Sequence, residues 1–144
     1  MPTPRKTPAT RVLTKSDFEA LAEFRYQMRR FERFSELAAK AEGVTPQQYL
    51  AMLQIKGAPG RAWLTVGELA ERLQVLPHAA VTLVSRCEAL GLLVRKPDPD
   101  DGRQVQVQLR PQGEQLLQRL ASVHRAELKS LQGVFTVPRI DGAD

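Results

Sequence analysis

Cysteine, histidine and tryptophan are scarce: one, two and one among 144 residues. A lone cysteine, Cys87, cannot close an intramolecular disulfide, which excludes a disulfide-framed secreted scaffold. Two histidines and one cysteine are too few for most His/Cys metal sites, so neither metal nor cofactor is expected. No uncharged run approaches the ~20 residues that span a bilayer. The Thr- and Pro-rich start lacks the apolar core of a signal peptide, and a cytoplasmic chain with no membrane partner is expected. There is no phosphate-cradling glycine loop, no Gly-x-Ser-x-Gly and no dinucleotide fingerprint, so an enzyme is not expected. The acidic run PDPDDG does not fit a calcium loop. The twelfth position from Asp98 is Leu109, where a bidentate Glu is needed.

What is present describes one globular domain: 42% hydrophobic and 26% charged residues in a length that suits a single core. The net charge is +5, and Arg5, Lys6, Arg11 and Lys15 supply most of it with no acid beside them. Residues 1–15 therefore read as a basic, disordered tail. It is either a phosphate-seeking arm or a soluble start. Residues 16–144 are nearly neutral.

Five helices follow from periodicity and caps. Ser16 and Glu19 have capping-box spacing. Phe18, Leu21, Phe24, Met28, Phe31, Ser35 and Ala38 then recur at helical steps, widened by Phe34 and Leu37. A second helix opens at Thr45, and a third at Thr65 with Glu68. After the connection Gln74–Val75–Leu76, Pro77 begins a fourth helix that stops at Gly91, a residue suited to a left-handed cap. From Leu92 the period becomes two. LLVRKP, the turn PDPDDG and the alternation of Val105, Val107 and Leu109 with glutamines make a β-hairpin. Trp63 and Leu64 have the makings of a very short strand. A last helix covers residues 111–132, with a stripe of Leu117, Leu120, Ala121, His124, Leu128 and Leu131. Residues 133–144 read as irregular.

Two short helices joined by about three residues and followed by a hairpin describe a winged helix-turn-helix. The fold class is mainly α with a small β-hairpin wing. The fourth helix is the candidate reader of a DNA major groove. Ala80, Leu83, Val84 and Cys87 face inward, leaving His78, Ala79, Val81, Thr82, Ser85 and Arg86 outward, small or polar as close approach to base edges requires. Thr82 and His78 can hydrogen-bond bases or phosphates, Val81 or Ala79 can touch a thymine methyl, and Arg86 can take a phosphate or guanine. At the hairpin tip Arg103 is placed to enter a minor groove. Asp101 is placed to orient its guanidinium through a bidentate pair. Thr65 and Pro77, at the starts of the two helices, complete the DNA-binding set.

The stretches LTVGELAERLQV, AAVTLVSRCEALGLLVRK and PDPDDGRQVQVQLRPQGEQLL resemble the MarR family of transcriptional regulators. The resemblance implies an obligate homodimer built from the first and last helices, and a pseudo-palindromic double-stranded DNA operator. It assigns residues 77–86 to the reader and Asp101 and Arg103 to the wing pair. On this reading residues 16–56 and 111–132 are N- and C-terminal dimerisation helices, with Phe18, Leu21, Leu117, Leu120, His124, Leu128 and Leu131 at the interface. Residues 62–110 are the DNA-binding unit. The resemblance further implies a repressor released by a small phenolic or lipophilic effector. Two positions depart from the family pattern. Leu76 stands where Ser or Thr usually opens the reader, and Arg110 stands where Thr usually opens the last helix.

Other features remain open between two roles. Phe24, Phe31, Phe34, Tyr49, Met52 and His124 line either an ordinary core or an effector cavity. Cys87, on the inward stripe of the fourth helix, reads as a packed, sluggish thiol rather than a redox sensor. An alternative function is a winged-helix module for protein–protein contact without sequence-specific DNA binding.

Overall fold

Among the described residues, three of the five helices begin with the same device. In this computed structural model, which describes residues 2–4 and 12–138, α1 (Lys15–Ala41), α2 (Pro46–Lys56) and α3 (Val66–Leu73) follow Thr14, Thr45 and Thr65. Each threonine hydroxyl accepts the backbone N–H three residues on. The side chains of Asp17, Gln48 and Glu68 accept the threonines' own N–H groups in return. The α1 cap is thus Thr14 with Asp17, not Ser16 with Glu19. The Asp17 carboxylate accepts the Thr14 N–H at 2.8 Å, and the earlier start draws Lys15 into the helix. Of the basic tail, Arg5, Lys6 and Arg11 lie outside the described residues.

The helices α4 (Pro77–Ala89) and α5 (Pro111–Ser130) begin, like α2, with proline at the first position, where a missing N–H has no partner to lose. Their cap residues, Leu76 and Arg110, make no side-chain cap hydrogen bond. Between α3 and α4, Gln74 adopts a left-handed conformation with φ of 54°, a costly choice for a residue with a side chain. Its own amide offsets the strain by donating to the Glu71 carbonyl at 2.8 Å.

Three antiparallel strands lie in the order β1 (Trp63–Leu64), β3 (Val105–Leu109), β2 (Leu93–Pro97). Trp63 pairs with Gln108, and Leu93 with Leu109, so the wing is the two-stranded hairpin plus one short strand. The expected alternation along β3 fails at its outer end. Val105 is 40% exposed while Gln106 is buried at 8%. Val105 stands at the turn end of the strand, whereas Gln106 is held by amide bonds to Asp98 (3.1 Å) and Gln108 (2.7 Å).

One core runs through the molecule, and α2 is its centre. Tyr49, Ala51, Met52 and Ile55 are buried, and α2 packs against α1, α3, α4, α5 and β3. Leu69, Val84, Cys87, Leu93, Val107 and Leu120 close around it, all fully buried. The helix α1 is less enclosed than its stripe suggests. Gln27 and Ala39 are its buried residues, while Phe18 and Leu21 are about half exposed. Beyond α5, which ends at Ser130 rather than residue 132, the chain turns back. Phe135 stacks on Phe24 at 5.7 Å and lies 6.4 Å from Phe31, so the nominally irregular tail adds packing.

Candidate nucleic-acid interface

Burial of one face of α4 fixes what the other face presents. Ala80, Val84 and Cys87 are fully buried against the core. Pro77, His78, Ala79, Val81, Thr82, Ser85 and Arg86 are consequently all exposed, as a single surface. No acidic residue occurs from 74 to 87. Thr82 donates its hydroxyl hydrogen to the His78 carbonyl at 3.1 Å. Thr65 belongs to the start of α3. Its hydroxyl accepts the Glu68 N–H at 3.1 Å, so it serves as the α3 cap and is half-buried. A groove of about 500 Å³ separates α4 from the start of α2, lined among others by Thr45, Gln47, Ala79, Thr82 and Arg86.

The wing tip is organised by aspartates acting on backbone. The Asp98 carboxylate accepts the N–H of Asp100 at 2.8 Å, the amide of Gln106 at 3.1 Å and the N–H of Asp101 at 3.1 Å. These donors hold its pKa below the ordinary carboxylate value. Asp101 accepts the backbone N–H of Arg103 at 3.1 Å. This differs from the expected bidentate pair with the Arg103 guanidinium. With only one residue between them, the carboxylate reaches the amide and closes an Asx turn. The effect is to set the tip's backbone and leave the exposed Arg103 side chain outward.

Arg95 on β2 went unread in the sequence. Its guanidinium pairs with Glu88 and donates to the Val81 carbonyl and the Ser85 hydroxyl, each at 3.3 Å, tying wing to reader. The available signal was a lone Arg one helix end and one turn beyond an acid on α4. A second unread arginine, Arg61, lies 4.2 Å over the Trp63 ring and pairs with Glu68. That bond, aided by the Thr65 N–H, lowers the Glu68 pKa.

The six candidate cavity residues fall mostly into one packed cluster. The His124 ring stacks on Tyr49 at 4.5 Å and meets Phe34 and Phe31 edge-on at 5.5 and 6.1 Å. Its Nδ1 is 2.7 Å from the Leu120 carbonyl and its Nε2 2.8 Å from the Ser35 hydroxyl, so both ring nitrogens have partners. Met52 is fully buried in the core. Phe24 lies apart, lining a cavity of about 180 Å³ with Gln27 and Val134. Burial raises the Tyr49 pKa.

The candidate interface set divides by exposure. Phe18, Leu21 and Leu128 present 55%, 49% and 46% of their surface, and Leu131 is half-buried. Leu117, Leu120 and His124 are buried within the chain's own core, so their area is not available to a second copy. Cys87 has no exposed surface, and burial pushes its thiol pKa up to about 11.

The family model of the MarR family matches residues 42–104, from the start of α2 to the wing tip. Over that stretch the chain is similar to the MarR family. Its similarity extends to a Thauera aromatica protein provisionally named as a transcriptional regulator for the hcr operon, 33% identical over 96 residues. That alignment covers 67% of this chain and 56% of the relative, so the chain spans little more than half of the relative's length. Among solved structures, AbsC, a MarR family transcriptional regulator from Streptomyces coelicolor, superposes with a TM-score of 0.74 at 19% identity, over 90% of this chain and 86% of that one. A point mutant of S. aureus MepR, bound to an oligodeoxyribonucleotide, gives a TM-score of 0.59 at 21% identity over 86% of each chain. At these identities the structural likeness is one of fold. No described helix is long and apolar enough to cross a membrane.

Proposed function

We propose that this chain is a MarR-type, homodimeric, sequence-specific DNA-binding regulator of transcription, a cytoplasmic repressor relieved by a small effector. The observation that carries the reading is the acid-free, exposed face of α4 beside a wing that holds Arg103 outward. Such a face meets base edges closely, and the arginine suits a narrow minor groove. The MepR mutant, alike in fold, is bound to an oligodeoxyribonucleotide, which supports DNA as the ligand. Half-exposed Phe18, Leu21 and Leu128 favour a second copy along α1 and α5. In such a dimer the two readers meet half-sites about one helical turn apart. The groove between α2 and α4 has the volume for a small phenolic or lipophilic molecule, which would press on Thr82 and Arg86.

Selection from random-sequence duplex DNA, repeated across a salt series, tests this reading. Enrichment of a palindrome is expected. Binding without enrichment that vanishes as salt rises would leave only charge holding the DNA.

A further inference from the structure

The N-terminal half of α4 is poor in the groups that read bases by hydrogen bonds. Residues 76–82 contain no Arg, Lys, Asn or Gln, the side chains that make bidentate contacts to guanine or adenine. Thr82 has committed its hydroxyl hydrogen to the His78 carbonyl, and the Ser85 hydroxyl already accepts from Arg95. His78 alone among residues 76–82 offers a ring donor and acceptor to the outside.

Apolar groups fill the remaining surface. Leu76 is 65% exposed and Val81 46%, with Pro77 and Ala79 exposed beside them. An isolated exposed Val or Leu needs no explanation, but a set confined to the end of a helix that enters a groove first does. The surroundings suit a polyanion. Arg86 follows on the same helix, Glu88 is neutralised by Arg95, and residues 74–87 carry no acid. The C5-methyl of thymine is the apolar group that a major groove of unmodified DNA presents among its donors and acceptors.

We propose that α4 reads its operator chiefly through thymine methyl groups, with Leu76, Ala79 and Val81 as the specificity-determining contacts and His78 as the polar one. This rests on the DNA-reading role proposed above. It names what that role recognises: half-sites with thymines clustered where the start of α4 enters the groove.

The experiment uses the full chain and the duplex enriched from the random pool. That duplex is remade with deoxyuridine at single thymine positions, which removes the methyl and keeps every hydrogen-bonding group. Each methyl removed opposite α4 is expected to weaken binding about fourfold, the equivalent of one buried methylene. Val81→Ser and Leu76→Ser change exposed side chains, so both variants should fold. Combined, they should abolish most of the uracil penalty. An enriched duplex bound equally well with thymine or uracil overturns the proposal, as does an enriched half-site without thymine. So does a penalty of the same size in wild type and the double variant, because the methyl would then act through duplex stiffness. Failure to enrich any sequence overturns the DNA-reading role itself, a result distinct from the other three.

Discussion

A Cβ placed on Gly113 would lie 2.2 Å from the carbonyl oxygen of Leu92. The same carbonyl accepts the N–H of Arg110 at 2.9 Å, so the start of α5 is pressed against the start of β2 where only hydrogen fits. Gly113→Ala is expected to cost about 2 kcal/mol, because backbone on both sides must shift. Gly67, inside α3 with nothing near its missing Cβ, supplies the contrast. Gly67→Ala should stabilise by roughly 0.5–1 kcal/mol through helix propensity. Urea midpoints that move in the same direction for the two variants would refute the close approach.

Two arginines of the wing should separate by assay. Arg103 is exposed, and its backbone alone is engaged by Asp101. Arg103→Ala should weaken DNA binding and reduce the salt slope by about one, with the melting temperature unmoved. Arg95 holds Glu88, Ser85 and the Val81 carbonyl. Its loss should lower stability by about 1 kcal/mol and weaken DNA binding by loosening the reader. An unchanged affinity and salt slope for Arg103→Ala would remove the wing from the interface.

Cys87 should resist alkylation while the protein is folded. With its pKa pushed up to about 11, roughly one thiol in a thousand is thiolate at pH 8, and none of it is exposed. Labelling in native buffer should be slow and become fast in urea. The sign of the pH effect follows from linkage. The folded chain keeps a proton that the unfolded thiol releases, so this contribution is intact below the ordinary thiol pKa. It is lost as pH rises toward about 11. Rapid native labelling at pH 8 would contradict the burial.

The fourth helix and its inward stripe were legible because Ala80, Val84 and Cys87 recur at helical spacing between a proline and a glycine. Local chemistry read less well where two solutions compete. Thr14 and Ser16 both have an acid three residues on, and the sequence cannot say which box closes. Contacts between distant segments left still weaker traces. Nothing near Gln106 announces that Asp98, eight residues earlier, will enclose it. Arg95 gives no sign of reaching Glu88 until α4 and β2 are packed. Phe135 looked like tail because its partners lie on the first helix. The spacing of Asp101 and Arg103 suggests a guanidinium pair, but a carboxylate two residues before an arginine meets the amide before it meets the guanidinium.

Because α2 packs on the helices outside the winged unit as well as on α3, α4 and β3, residues 62–110 are not a portable cassette. Cut free, they would lose the wall against which Leu69, Val84 and Val107 are buried. Grafting the exposed surface of α4 and the wing onto another scaffold therefore means carrying α2 with it.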